Sequence, residues 1–202
     1  MTAPTRIAVL ASGRGSNLQA ILDAIAAGRL PAEVVGVFSD RPAAAALQRV
    51  GASLRWAHAP KEFDDRAAYE QALGDALAAA APDWIVCAGY MRILGAAFVQ
   101  RFNGRLVNIH PSLLPAFPGL DTHARALAAG VRLHGCTVHL VSAGVDEGPI
   151  LAQAAVPVLP GDDEFEMPAG GLNIRWPDPP LEQEMRLHRY AVKAAQAFAR
   201  AN

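Results

Sequence analysis

The chain has 202 residues, 52% hydrophobic and 18% charged, and its 18 basic and 19 acidic side chains leave a net charge of −1. That length suits one domain or two closely joined lobes, and the apolar share is too high for a disordered chain. Balanced charge without a basic run excludes a surface built for nucleic acid or an anionic membrane, and no stretch reaches the ~20 apolar residues of a membrane span.

The first half alternates between strand and helix signals. "RIAVLAS" (6–12) reads as a short buried strand, broken by "GRGSN" (13–17). The next segment places Leu18, Ile21, Leu22 and Ile25 on one helical face, with Ser16 as the expected N-cap and Gly28 as the stop. "AEVVGVFSD" (32–40) is a second strand, "AAALQRVG" a short helix and "SLRWAHA" (53–59) a third strand. Tyr69, Leu73 and Leu77 step by four through a helix over 64–80. "DWIVCAGY" (83–90) is a fourth strand, "GAAFVQRF" a helix and "RLVNIH" (105–110) a fifth strand.

Repeated strand–helix units with continuously apolar strands predict an α/β fold, a mostly parallel twisted sheet with helices on both faces. Ligands in such sheets bind at the carboxyl ends of the strands. That rule gathers "SGRGSN", "GYMRIL" and "NIHPS" at one edge. Beyond residue 120 come a helix, "THARALAAG", and a strand pair, "HGCTVHLV" and "PILAQAAVPV", joined by "SAGVDEG". The run 161–180 holds four prolines and three glycines and reads as loop, and the chain ends on a helix with a basic last turn. The expected layout is a single domain over 1–202: a Rossmann-like half (1–104), a second half carrying "NIHPS" and the strand pair (105–163) and a loop-plus-helix tail (164–202).

The two cysteines, Cys87 and Cys136, lie far apart and outside any metal-like spacing, so neither is expected as a ligand or in a disulfide; Cys87, inside an apolar run, reads as a core residue, and the setting as reducing and cytoplasmic. The apolar run near the N-terminus is too short for a signal peptide. No His/Cys/Asp/Glu cluster has metal-ligand spacing, so no metal is expected.

"SGRGSN" joins a strand to a helix N-terminus and fits either a monophosphate site or a tight turn; it lacks the third glycine of a dinucleotide fingerprint and the Lys-Ser/Thr of a P-loop. Asn108 and His110 stand two apart on a strand and so share a face. Beside a developing oxyanion they would act as donors, and a neutral His110 would equally serve as a base. Pro111 fixes the backbone just beyond them. Asp146, in a glycine-flanked loop, is either a turn former or a carboxylate that reaches His110 and favours its charged form. His139 reads as a packed strand histidine or a site residue; His58, His123, His134 and His188 read as packing or surface groups.

"LASGRGSNLQAI", "AGYMRIL", "NIHPSLLPAFPGLDTHARAL", "HGCTVHLV" and "VDEGPILAQAAVPV" together resemble the glycinamide ribonucleotide formyltransferase family over roughly residues 5–163. The resemblance implies transfer of a formyl group from 10-formyltetrahydrofolate, as co-substrate, to the glycine amine of a ribose phosphate in purine synthesis. It implies substrate binding by Gly15, Ser16, Asn17, Pro111 and Glu184. It places Arg66, Met91, Arg92, Ile93, Leu94, Asn108, His139, Ser142, Ala143, Gly144, Val145 and Asp146 along the folate, with Asn108, His110 and Asp146 as the catalytic trio. The implied partners are small molecules only, and the chain is expected to be a monomer or homodimer.

Departures are concentrated late in the chain. Leu140 and Ala143 stand where the family prefers an aromatic and an acidic residue. "FEMPAGGLNIRWPDPP" interrupts the family's passage into its last helix, and Met185 replaces a histidine after Glu184. The segment "GGLNIRWPDPPLEQE" is similar to part of a 2-oxoacid:ferredoxin oxidoreductase. Rival readings are a formyltetrahydrofolate hydrolase, for whose extra N-terminal domain a first strand at Arg6 leaves no room; a sugar or tRNA formyltransferase, which would need more chain after the core; a nucleotide-binding module using Asp40 at the second strand's tip; and an inactive relic.

Overall fold

The computed structural model describes residues 3–158. The expected tail, with the loop over 161–180, the closing helix and Glu184, Met185 and His188, lies outside the described residues. One sheet carries β1 (Thr5–Leu10), β2 (Ala32–Ser39), β3 (Arg55–Ala57), β4 (Trp84–Cys87), β5 (Leu106–His110), β6 (Leu133–Leu140) and β7 (Ile150–Pro157), in the order β3-β2-β1-β4-β5-β6-β7. The pairings from β3 across to β5 are parallel, and β6 and β7 are antiparallel. The helices are α1 (Ser16–Ala26), α2 (Arg66–Ala80), α3 (Ala96–Arg101) and α4 (Thr122–Ala128).

The period of two along β1 sorts the core into two layers. Ile7 and Val9 face Leu18, Ile21 and Ala24 of α1. Ala8 and Leu10 face Tyr69, Leu73 and Leu77 of α2 together with Phe98 and Val99 of α3. A strand buried on both faces has no room for the polar alternation of an exposed sheet, which is why "IAVL" reads as a continuous apolar run. The sheet continues unbroken through β4, β5 and β6, across the boundary expected at 104/105.

Several boundaries differ from the sequence reading. Ser16 is the first residue of α1 and not its cap; Gly15 takes that place at φ 75°, with no side chain capping the helix. A Cβ at Gly15 would sit 2.7 Å from the Ala46 Cβ and 2.8 Å from its Cα, so packing as well as the left-handed backbone demands glycine. Gly28 does stop the helix: at φ 66° its N–H turns back to the Ile25 carbonyl at 2.9 Å. The segment expected as a short helix is a 3₁₀ turn, Ala45–Arg49, and its first-turn Ala46 N–H donates to the Gly13 carbonyl across the fold (3.0 Å). A second 3₁₀ turn, Ala52–Leu54, shortens the third strand to Arg55–Ala57. The fourth strand leaves the ladder after Cys87, and Gly89 at φ 78° turns the chain away.

Cys87 is buried in the core, and burial pushes its thiol up to about 12; Cys136 is also buried and free. His58 pairs with Glu62 on the surface (3.0 Å). His123 of α4 and His134 of β6 meet at 2.8 Å between Nδ1 and Nε2, under the edge of Phe117. Burial, helped by the nearby His134 and His110, pushes His123 from 6.5 down to about 3.

Leu73 is fully buried. Leu73→Ala should therefore lower unfolding free energy by about 2–5 kcal/mol in urea denaturation. The unfolded chain protonates His123 near its ordinary value, whereas the folded ring resists down to about 3. Between those values the unfolded state holds more protons, so stability falls as pH falls. His123→Asn should remove part of that slope when urea midpoints are compared between about pH 7 and pH 4.5.

Candidate active site

The segment leaving β1 forms one wall of the site. Gly15 in its left-handed conformation opens α1 with no side-chain hydrogen bond capping the helix. The first-turn amides of Ser16 and Asn17 are the donors that a helix leaves without an internal partner. Arg49 braces this turn, with Nε donating to the Arg14 carbonyl (2.9 Å) and Nη1 to Gln19 Oε1 (2.7 Å). Backbone donors at a helix N-terminus, with a guanidinium alongside, suit a phosphate-sized anion.

The segment leaving β4 forms a second wall. Met91 and Ile93 are 48% and 65% exposed, Arg92 places its guanidinium 5.7 Å from the centroid of the Tyr69 ring, and Leu94 is half-buried. Arg66 ties this loop to α2: Nη2 donates to the Ile93 carbonyl (2.7 Å) and Nε to Glu70 Oε1 (2.7 Å), which also accepts from the Gly95 N–H (3.0 Å). Arg66 and the Met91–Leu94 segment, grouped by the sequence reading, are thus in direct contact. Asp40, at the tip of β2, is buried and takes the Ser12 hydroxyl proton at 2.5 Å.

Between these walls stands β5. Asn108 pairs with Cys87 of β4 on one side and with His139 of β6 on the other, and His110 pairs with Thr137. Asp146, at φ 56° in the β6–β7 loop, folds back over this face. Its Oδ2 lies 3.2 Å from His110 Nδ1 and accepts the Gly119 N–H at 2.9 Å. Its Oδ1 lies 3.5 Å from Asn108 Nδ2 and 3.5 Å from His139 Nε2. Burial pushes the Asp146 carboxyl upward, but the His139 ring, the Gly119 N–H and the His110 charge outweigh it and hold it below the ordinary 3.8. A three-residue cluster spread over 38 positions of sequence is therefore a physical unit.

His110 Nε2 lies 3.0 Å from the Phe117 carbonyl, which can only accept. The two ring nitrogens therefore face two oxygen acceptors, the Asp146 carboxylate and the Phe117 carbonyl. His139 is 2% exposed and sits behind the site, its Nδ1 donating to the Leu140 carbonyl (3.0 Å) and its Nε2 facing Asn108 Nδ2 (3.2 Å). Pro111 is half-buried at the head of the proline loop. Ser142, with Oγ 3.5 Å from the Gly144 carbonyl, leads through Ala143 into the exposed Val145 beside Asp146.

Some contributors carry no sequence signal. The Phe117 carbonyl and the Gly119 N–H are backbone groups. Thr137 reads as an ordinary strand residue, yet its hydroxyl donates to the Ser112 carbonyl (2.7 Å) and accepts from the Leu114 N–H (3.0 Å) and Gln153 Nε2 (3.0 Å). Those bonds pin the proline loop to β6 and β7. Only the alternation of Thr137 with His139 along β6 hints that it faces the same way as the site. Among the described residues no three His, Cys, Asp or Glu side chains gather as a metal site.

The family model described as formyl transferase matches residues 5–171. A phosphoribosylglycinamide formyltransferase of Mycobacterium tuberculosis is 54% identical over 168 residues, which cover 81% of this chain and 76% of that protein. The trifunctional purine biosynthetic protein adenosine-3 of Drosophila melanogaster is 52% identical over 165 residues; the match covers 79% of this chain and spans 12% of that longer protein. The solved structure of glycinamide ribonucleotide transformylase 1 from Symbiobacterium toebii superposes with a TM-score of 0.83 at 42% identity, over 100% of this chain and 90% of that one. The chain belongs to the formyl transferase family.

Proposed function

We infer that the chain is a phosphoribosylglycinamide formyltransferase of purine biosynthesis, forming the N-formyl product from the glycine amine of a ribose phosphate. Relatives of that name, at about half identity, support the reaction. The observation that carries the site assignment is the Asp146 carboxylate reaching both His110 and Asn108.

When bound, 10-formyltetrahydrofolate supplies the formyl group and leaves as tetrahydrofolate. The exposed side chains of Met91, Ile93 and Val145 fit a flat, partly apolar ring system, and Arg66, Arg92, Leu94 and the Ser142–Asp146 segment complete that side. Gly15, Ser16 and Asn17 hold the substrate phosphate at the uncapped start of α1, as the chemistry of a helix N-terminus favours. Pro111 stiffens the exit from β5, and Glu184, outside the described residues, is assigned to the amino substrate.

The amine nitrogen attacks the formyl carbon, and negative charge grows on the formyl oxygen. Asn108 Nδ2 and His110 Nε2 are the donors for that charge. In the free protein His110 Nε2 is held by the Phe117 carbonyl, so substrate must take that carbonyl's place. Phe117 sits at φ 54°, a strained conformation for a bulky residue, which favours its release. Asp146 stays ionised and faces His110 Nδ1 at 3.2 Å. The proton lost by the amine travels to the leaving nitrogen through a water held by Asp146, or through His110 once its ring has given a proton to that nitrogen and can take the amine's in turn. Gly119, Thr137 and His139 act from behind, by fixing Asp146, the proline loop and Asn108.

No described helix is long and apolar enough to cross a membrane; the chain works in the cytoplasm on small molecules, as a monomer or homodimer. The test is loss of the formyl group from a 10-formyl folate analogue with and without glycinamide ribonucleotide. Amine-dependent loss is expected; amine-independent loss would mean a hydrolase, and no loss an inactive chain. Asn108→Ala and His110→Ala should each reduce kcat by at least ~10²–10³ with the fold retained by circular dichroism. Near-normal turnover in either would remove that residue from its role.

A further inference from the structure

We propose that Ser12 is a positioning residue that holds the loop leaving β4 at a fixed distance from the glycine turn, and so sets the spacing between the folate side and the phosphate side of the site. The proposal rests on the functional reading above. Ser12 is 2% exposed. Its N–H donates to the Gly89 carbonyl (3.0 Å), and its Oγ accepts from the Met91 N–H (2.9 Å). An amide N–H can only donate, so the hydroxyl proton is left for Asp40 Oδ1, at 2.5 Å. One residue at the end of β1 thereby binds the ends of both neighbouring strands.

The loop depends on this contact. Across Tyr90–Leu94, Met91 makes the one backbone N–H bond among the described residues, and it makes it to Ser12. The other ties come from the flank and reach side chains or the loop's far end: Arg66 to the Ile93 carbonyl, Glu70 to the Gly95 N–H, the Tyr69 hydroxyl to the Tyr90 hydroxyl (2.9 Å) and the Tyr69 ring to the Arg92 guanidinium. The glycine turn, by contrast, has its own supports in the Ala46 N–H to Gly13 carbonyl bond (3.0 Å) and in Arg49. Removing the Ser12 hydroxyl leaves the Met91 N–H and a buried Asp40 oxygen unpartnered at once, and unmade bonds to buried polar groups are costly. The loop shifts to find new partners, while the turn stays in place. Loss should fall on folate binding and not on phosphate binding.

The experiment titrates a 10-formyl folate analogue and, separately, glycinamide ribonucleotide into the full chain by calorimetry, with turnover measured alongside. Ser12→Ala should weaken the folate analogue by ~10-fold and leave the amine substrate within ~2-fold. Asp40→Asn, whose amide oxygen still accepts the hydroxyl proton, should stay within ~3-fold for both ligands. Folate affinity unchanged within ~2-fold in Ser12→Ala, or equal weakening of both ligands, overturns the proposal. Should Ser12→Ala fail to fold, Asp40→Ala decides: the same one-sided weakening by at least ~3-fold supports the role, and its absence overturns it. An unsubstituted chain without amine-dependent formyl transfer would overturn the functional reading itself, which separates the two failures.

Discussion

The Asp146 carboxylate is the point at which the separate parts of the molecule become one site. It takes the Gly119 N–H from the proline loop, faces Asn108 and His110 on β5 and reaches His139 on β6. A half-buried carboxylate is costly unless its oxygens are partnered. Here partners from three segments meet that demand, and each is fixed in return. The antiparallel turn of the sheet after β5 makes this possible, because it brings His139 opposite Asn108 and returns the β6–β7 loop over the β5 face.

The parallel part of the sheet does a different job. It aligns the ends of β1, β2 and β4 so that the glycine turn and the Met91–Leu94 segment emerge side by side, bridged through Ser12. The two halves meet where Cys87 pairs with Asn108. The glycine turn, the Met91–Leu94 segment and the Asn108–His110–Asp146 cluster thus hold fixed places on one sheet, the arrangement that catalysis by positioning requires.

Much of this was legible in the sequence because the physics behind it is local. Apolar runs separated by helical stripes give the parallel sheet, and a period of two puts Asn108 and His110 on one face. The "GRGSN" turn was readable as a strand-to-helix glycine turn, although the cap falls on Gly15 and not Ser16, since nothing local announces that Ala46 closes the space for a Cβ. The short helix at Ala45–Arg49 was readable too, as a 3₁₀ turn in the event, but its bond to Gly13, far away in sequence, was not. The Asp146–His110 contact was one of two readings of a loop aspartate, and only the fold selects it. The Phe117 carbonyl and the Thr137 hydroxyl were invisible, the first because it is backbone, the second because a strand threonine has many ordinary reasons to be there.

The central claim is that the Asp146 charge, and not merely its shape, organises the site. Asp146→Asn keeps the size and one acceptor oxygen but removes the charge facing His110. The decisive measurement is single-turnover formyl transfer by this variant, with circular dichroism confirming the fold. A loss of at least ~10²-fold is what a charge-organised site predicts. A rate within ~10-fold of the unsubstituted chain would contradict it and reduce Asp146 to a structural tie.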